Sequence, residues 1–201
     1  LAAWPAAGFA DEFVNLRFYP GEEPVREDRP SKQSPITLSF VGKVYDPAEA
    51  RFDSGARRTP DEEFIVRVDR VNREGSKEDI LALWEPSERA EIAQDLDDPE
   101  LFANNRLFYK KVKHSAFAFK AHYGPYIIFL VQNTNELIGE QMQIYPIRRT
   151  SNGYVLTNDL ADDPMLEFFY HYHRERMQPL EQPEAAPPDE AAPDEAAPED
   201  D

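Results

Sequence analysis

"RLFYKKVKHSAFAFKAHYGPYIIFLVQ" (residues 106–132) decides the fold class. Over its second half both parities are apolar: Tyr126, Ile128 and Leu130 alternate with Ile127, Phe129 and Val131. A strand with one wet face alternates between apolar and polar, whereas one that is apolar on both parities is covered on both faces. Residues 106–123 read as a preceding strand, with Phe117, Phe119 and Tyr123 on one parity and His114, Lys120 and His122 on the other. Gly124-Pro125 lies between the two runs, so they are expected to pair as a hairpin at the centre of a sheet.

Toward the C-terminus the sheet continues. Residues 136–149 set Ile138, Met142 and Ile144 against Gln141 and Gln143, with Glu140 intruding on the apolar side. Asn152-Gly153 is a favoured hairpin turn, and 154–157 return as the last strand. Asp163-Pro164 then reads as a cap and first helical residue, opening a final helix over 164–177 that docks on the sheet.

Toward the N-terminus come helices. Thr59 and Pro60 open one over 59–75; Asp61, Glu62 and Glu63 lie at its positive end, and Phe64, Val68 and Val71 form one stripe. Ser76 and Asp79 form a capping-box-like pair for 76–84. Ser87 is the expected cap for 86–96, and "DDPELF" (97–102) opens a short fourth helix capped by Asp98. Residues 13–19 and 36–45 alternate as two further strands, separated by a charged, Pro-rich loop.

The formal charge of −17 is unevenly spread. Residues 178–201 carry nine acids and no Lys or Arg, which leaves −17 − (−9) = −8 on the rest. An acidic body has no electrostatic footprint for nucleic acid or for anionic lipid. Three Glu-Ala-Ala-Pro repeats (184–187, 190–193, 195–198) mark 178–201 as a disordered acidic tail, because regular Pro breaks each helical turn and nothing apolar is present to bury. The absence of cysteine removes thiol chemistry and disulfides. Residues 1–12 read as a flexible leader or signal-peptide remnant, with Gly8-Phe9-Ala10 similar to a cleavage site, so a periplasmic or secreted bacterial-type protein is expected. Residues 13–177 form a single α+β domain.

The helices of "DEEFIVRVDRVNREGSKEDILALWEP" (61–86), followed by long antiparallel strands closing on "YPIRRTSNGYVLTND" (145–159), resemble the nuclear transport factor 2-like, cystatin-like superfamily over about residues 60–160. The resemblance implies a cone, in which a curved antiparallel sheet wraps the N-terminal helices around a pocket. The strands before Thr59 would be an added pair, packed on the convex face of the sheet unless a second subunit covers it. Members often pair through that face, so a homodimer is expected. The resemblance also implies pocket-lining candidates: Trp84, Tyr109, His122, Tyr123, Tyr126 and Tyr145, with Asp79 as a partner. Enzymes of this fold, such as ketosteroid isomerase, use a carboxylate base with Tyr and acid donors, but no such set can be assigned here residue by residue.

Other chemistry is sparse. The acids of "TNDLADDP" (157–164) fail as a calcium loop, because counting from Asp159 puts Ala161 at the third position, Pro164 at the sixth and Tyr170 at the twelfth. The Asp-Asp-Pro grammar recurs at 97–99, which favours a structural joint. His171 and His173 are two apart, and His114 and His122 are eight apart on a strand, so neither pair shares an ion; no metal site and no cofactor are expected. No phosphate loop, dinucleotide fingerprint or serine elbow is present. The sequence therefore points to a non-catalytic binding or assembly module with a candidate pocket for a small apolar ligand or a protein partner. A small-molecule isomerase, cyclase or dehydratase using that pocket is the alternative.

Overall fold

The 126–131 run lies where two-sided apolarity requires it, in the interior of a sheet. A computed structural model of the chain describes residues 12–18, 36–46, 49–171 and 178–179. Strands β3 (Val112–Tyr123) and β4 (Tyr126–Asn135) pair antiparallel around Gly124, whose φ of 57° suits glycine in a tight turn. Beyond β4 lie β5 (Gly139–Thr150) and the short β6 (Gly153–Leu156). Beyond β3 lie β2 (Ile36–Val44), β1 (Glu12–Phe18) and the two-residue β7 (Gln178–Pro179). The order is β6-β5-β4-β3-β2-β1-β7, and every pairing between these strands is antiparallel.

Helices α1 (Pro60–Glu74), α2 (Lys77–Leu83), α3 (Arg89–Asp97) and α4 (Pro99–Lys111) lie on one face. Phe64, Ile65, Val68 and Leu83 pack there against Phe117, Phe129, Val131 and Ile147. The opposite face is covered by α5 (Pro164–His171) and the turn before it, with Leu160, Leu166 and Phe169 against Phe40, Phe119, Ile128, Leu130 and Ile144. Ile128, Phe129 and Leu130 are each 0% exposed, so β4 is buried on both faces as its sequence requires. No helix among the described residues is long and apolar enough to cross a membrane.

Several details correct the sequence reading. β1 and β2 do not pack on the second face: Val41 pairs with His122 and Lys43 with Lys120, so they widen the sheet edge to edge. The apolar cover sought from those strands comes instead from α5. Gly42 permits the β2–β3 approach, since a Cβ there would sit 2.0 Å from the Lys120 carbonyl oxygen. Residues 106–111 are helix rather than strand. Asp98 accepts from the N–H groups of Glu100 and Leu101, Pro99 occupies the first turn, and no breaker follows before Val112. Arg106 then clamps α4 to the end of α1 through the carbonyls of Val71, Asn72 and Gly75. The cap of α3 is Glu88 rather than Ser87, because residues 85–88 form a turn closed by Glu88 N–H to the Glu85 carbonyl.

A β-bulge overturns one parity assignment. Phe117 pairs with Val131 but Phe119 pairs with Leu130, so Ala118 is the extra residue and the two phenylalanines enter opposite cores. The same shift turns Lys120 toward α1, where its Nζ lies 3.2 Å from Asp61 Oδ2, both side chains being less than a tenth exposed. The expected leader, His173, the end of the last helix at 172–177 and the acidic tail from 180 onward lie outside the described residues.

Candidate functional site

Sheet geometry leaves an opening beside β5. β6 pairs only with 147–150 of β5, and the Thr157 N–H to Pro146 carbonyl bond (3.2 Å) makes the last rung before the chain turns away. A cleft of about 440 Å³ opens there, between α2–α4 on one side and the 157–166 segment on the other. Its walls are mostly apolar, with Ile80, Trp84, Ile92, Leu96 and Leu156 facing Ile144, while Asn72, Asn105 and Asn158 supply neutral polar edges.

Two tyrosines form part of its lining. Tyr145 donates to Gln143 Oε1 at 2.5 Å, and the Tyr109 hydroxyl lies 3.1 Å from that of Tyr145. Since the Tyr145 proton is already committed to Gln143, Tyr109 is the donor between the two rings. Gln143 Nε2 donates back to Tyr109 at 3.4 Å, closing a three-membered ring, and Asn133 Nδ2 also donates to Gln143 Oε1 at 2.6 Å. Burial is the main cause that pushes Tyr109 above, and Tyr145 well above, the ordinary tyrosine value, so both stay neutral at physiological pH. Asp69 is the carboxylate whose charge acts on both tyrosines, and it is fully engaged: Arg73 holds it through Nε at 2.7 Å, and Ser115 donates to it at 3.0 Å. Asp95, the one carboxylate lining the cleft, is solvent-exposed.

Of the residues expected from sequence, Trp84, Tyr109 and Tyr145 meet in this cleft, and four do not. Asp79 closes the α2 capping box, accepting from Ser76 N–H at 2.8 Å, and that backbone bond holds its carboxyl below the usual range. Tyr123 and Tyr126 border the other core and donate to Asp163 (3.1 Å) and Asp159 (3.0 Å). These carboxylates are the first cause that raises both phenols. His122 is exposed at the β2–β3 junction. The resemblance implies a pocket on the concave sheet face, whereas the gap lies beside β5, past the end of β6. No sequence pattern marked Asn72 or Asn105, and Thr157 and Asn158 stood out only within the 157–164 stretch that fails as a calcium loop, although Ile92 and Leu96 have the i, i+4 spacing of one helical face.

The acids of 157–164 are structural joints. Asp163 accepts from Met165 N–H at 2.8 Å and starts α5, while Glu88 accepts from Thr157 Oγ1 (2.7 Å) and Asn158 N–H (2.9 Å). Carboxylate oxygens of Glu85, Glu88 and Asp159 approach within 4.8 Å of one another. The positive charge that such a cluster demands comes from Arg148, which is bonded to Glu85 and lies 3.9 Å from Asp159.

No known protein family, curated protein or solved structure matches the chain.

Proposed function

We propose that the chain is a non-catalytic binding module whose ligand occupies the cleft beside β5. In this reading the sheet and α1–α4 form the cone implied by the sequence resemblance, and the cleft is its mouth. The observation that carries it is the lining: a mostly apolar wall with neutral amides, and two tyrosines kept protonated and bonded to each other. General acid–base catalysis works best with a group whose value is tuned toward neutrality, and burial moves Tyr109 and Tyr145 the other way while their protons are committed to Gln143 and to each other. Here the one carboxylate in the lining, Asp95, is solvated, while Glu88 is bonded to Thr157 and Asn158 and Asp69 is clamped by Arg73. An apolar wall with a few oriented polar groups favours a largely apolar guest.

The test uses N-phenyl-1-naphthylamine, a neutral apolar dye that accepts energy from tryptophan. In a Trp4→Phe background, Trp84 is the one remaining tryptophan. Binding in the cleft predicts saturable quenching of Trp84 with one dye per chain. Ala161→Phe, placed on an exposed lining residue, should weaken it at least tenfold. Dye binding that ignores Ala161→Phe would refute the assignment.

A further inference from the structure

The cleft adjoins an unused stretch of sheet edge. Thr157 N–H bonds to its register partner Pro146, so even-numbered residues of β5 direct their backbone groups away from β4. The register of β5 on β4 is unbroken, and the alternation therefore continues through Ile144, Met142 and Glu140. Among the described residues no strand pairs with that side. The outer edge of β6, by contrast, is already occupied, since Glu85 N–H donates to the Leu156 carbonyl at 3.0 Å. Pro146 fits the same geometry: its missing N–H falls on the outward side, where it costs no rung to β4.

Resting on the binding-module reading, we propose that the partner is an extended peptide, which adds as a strand to β5 along residues 140–144 and places one apolar side chain in the cleft. Strand addition supplies main-chain hydrogen bonds for affinity and a side-chain pocket for specificity. The new strand continues the ladder where β6 leaves it at Thr157. Charge selects the sequence. The body of the chain carries −8, Glu140 stands exposed on the open edge and Asp95 lines the cleft. A guest with Lys or Arg between its apolar residues is favoured, and the chain's own acidic tail of −9 is disfavoured.

The probe is a fluorescein-labelled Lys-Val-Lys-Leu-Lys-Val-Lys peptide, read by anisotropy alongside the naphthylamine dye. The expected result is saturable binding that displaces the dye and slows hydrogen exchange at the amides of Glu140, Met142 and Ile144. Met142→Pro removes one outward N–H while sparing the bonds to β4, and should weaken the peptide at least tenfold. A peptide N-methylated at alternate nitrogens tests the same ladder without altering the protein, and should also bind at least tenfold more weakly. Equal affinity of the methylated and unmodified peptides would overturn strand addition. So would dye binding in the cleft with no peptide binding, which leaves the cleft reading intact; failure of both probes removes both. Equal binding of a Glu-for-Lys version of the peptide would overturn the charge selection.

Discussion

Lys120→Met isolates the ion pair that joins β3 to α1. Lys120 Nζ lies 3.2 Å from Asp61 Oδ2, with side chains 4% and 8% exposed. Removing one member of a buried pair strands the other charge and costs about 3–5 kcal/mol. The two directions should differ. Asp61 lies in the first turn of α1, where the helix dipole stabilises an anion by about 0.3–1 kcal/mol, so the loss on Lys120→Met falls near the lower end of that range. Lys120 instead sets a cation against that same positive helix end, so Asp61→Leu should cost more than Lys120→Met. The double variant, with methionine and leucine in contact, should recover most of the stability because neither desolvated charge remains. Urea denaturation of the wild type, both single variants and the double variant completes the cycle. Single losses below about 1 kcal/mol, the range of exposed pairs, would refute the buried placement and with it the turn of Lys120 toward α1 at the bulge.

Other consequences follow from the packing. Phe169→Ala, at a site 1% exposed in the core beneath α5, should cost about 3–5 kcal/mol in chemical denaturation; a loss under 1 kcal/mol would mean that α5 does not cover the second face. Gly42→Val should lower the melting temperature sharply, because its Cβ would fall 2.0 Å from a backbone carbonyl oxygen of β3; an unchanged melting temperature would contradict the close β2–β3 approach. Tyr109 and Tyr145 are raised in the folded state, so their contribution is complete below the unfolded tyrosine value of about 10 and is lost as pH climbs toward the folded values. Spectrophotometric titration should show these two phenols ionising after the exposed ones. Tyr145→Phe should flatten part of the alkaline loss of stability.

The sheet was legible because its central strand carries a signal that propensity cannot obscure: six apolar residues on both parities, which require cover on both sides. Helix starts were legible for a local reason. Asp98, Asp163 and the Ser76–Asp79 box satisfy orphan N–H groups within a few residues of themselves. Where the sequence misled, the cause was non-local. Residues 106–111 carry Leu, Phe and Tyr and read as strand, but the clamp of Arg106 on the end of α1 and the cap at Asp98 extend the helix through them. Equal parity of Phe117 and Phe119 failed because a bulge is a property of two paired strands, invisible in either alone. Of the site, the aromatic members Trp84, Tyr109 and Tyr145 were legible. The amides and Thr157 were not, since the cleft exists where β6 stops short of β5, and that mismatch of strand lengths is set by pairing.

A ligand seated in the cleft beside β5 would perturb its lining residues and leave the opposite core untouched. Backbone and indole chemical shifts of ¹⁵N-labelled protein, followed through a titration with N-phenyl-1-naphthylamine, test this directly. Saturable shifts are expected at the Trp84 indole and at Asn105, Tyr145, Thr157 and Asn158, with none at His122, Tyr123 or Asp79. Shifts centred on His122 or Tyr123, or no saturable shift at Trp84, would contradict it.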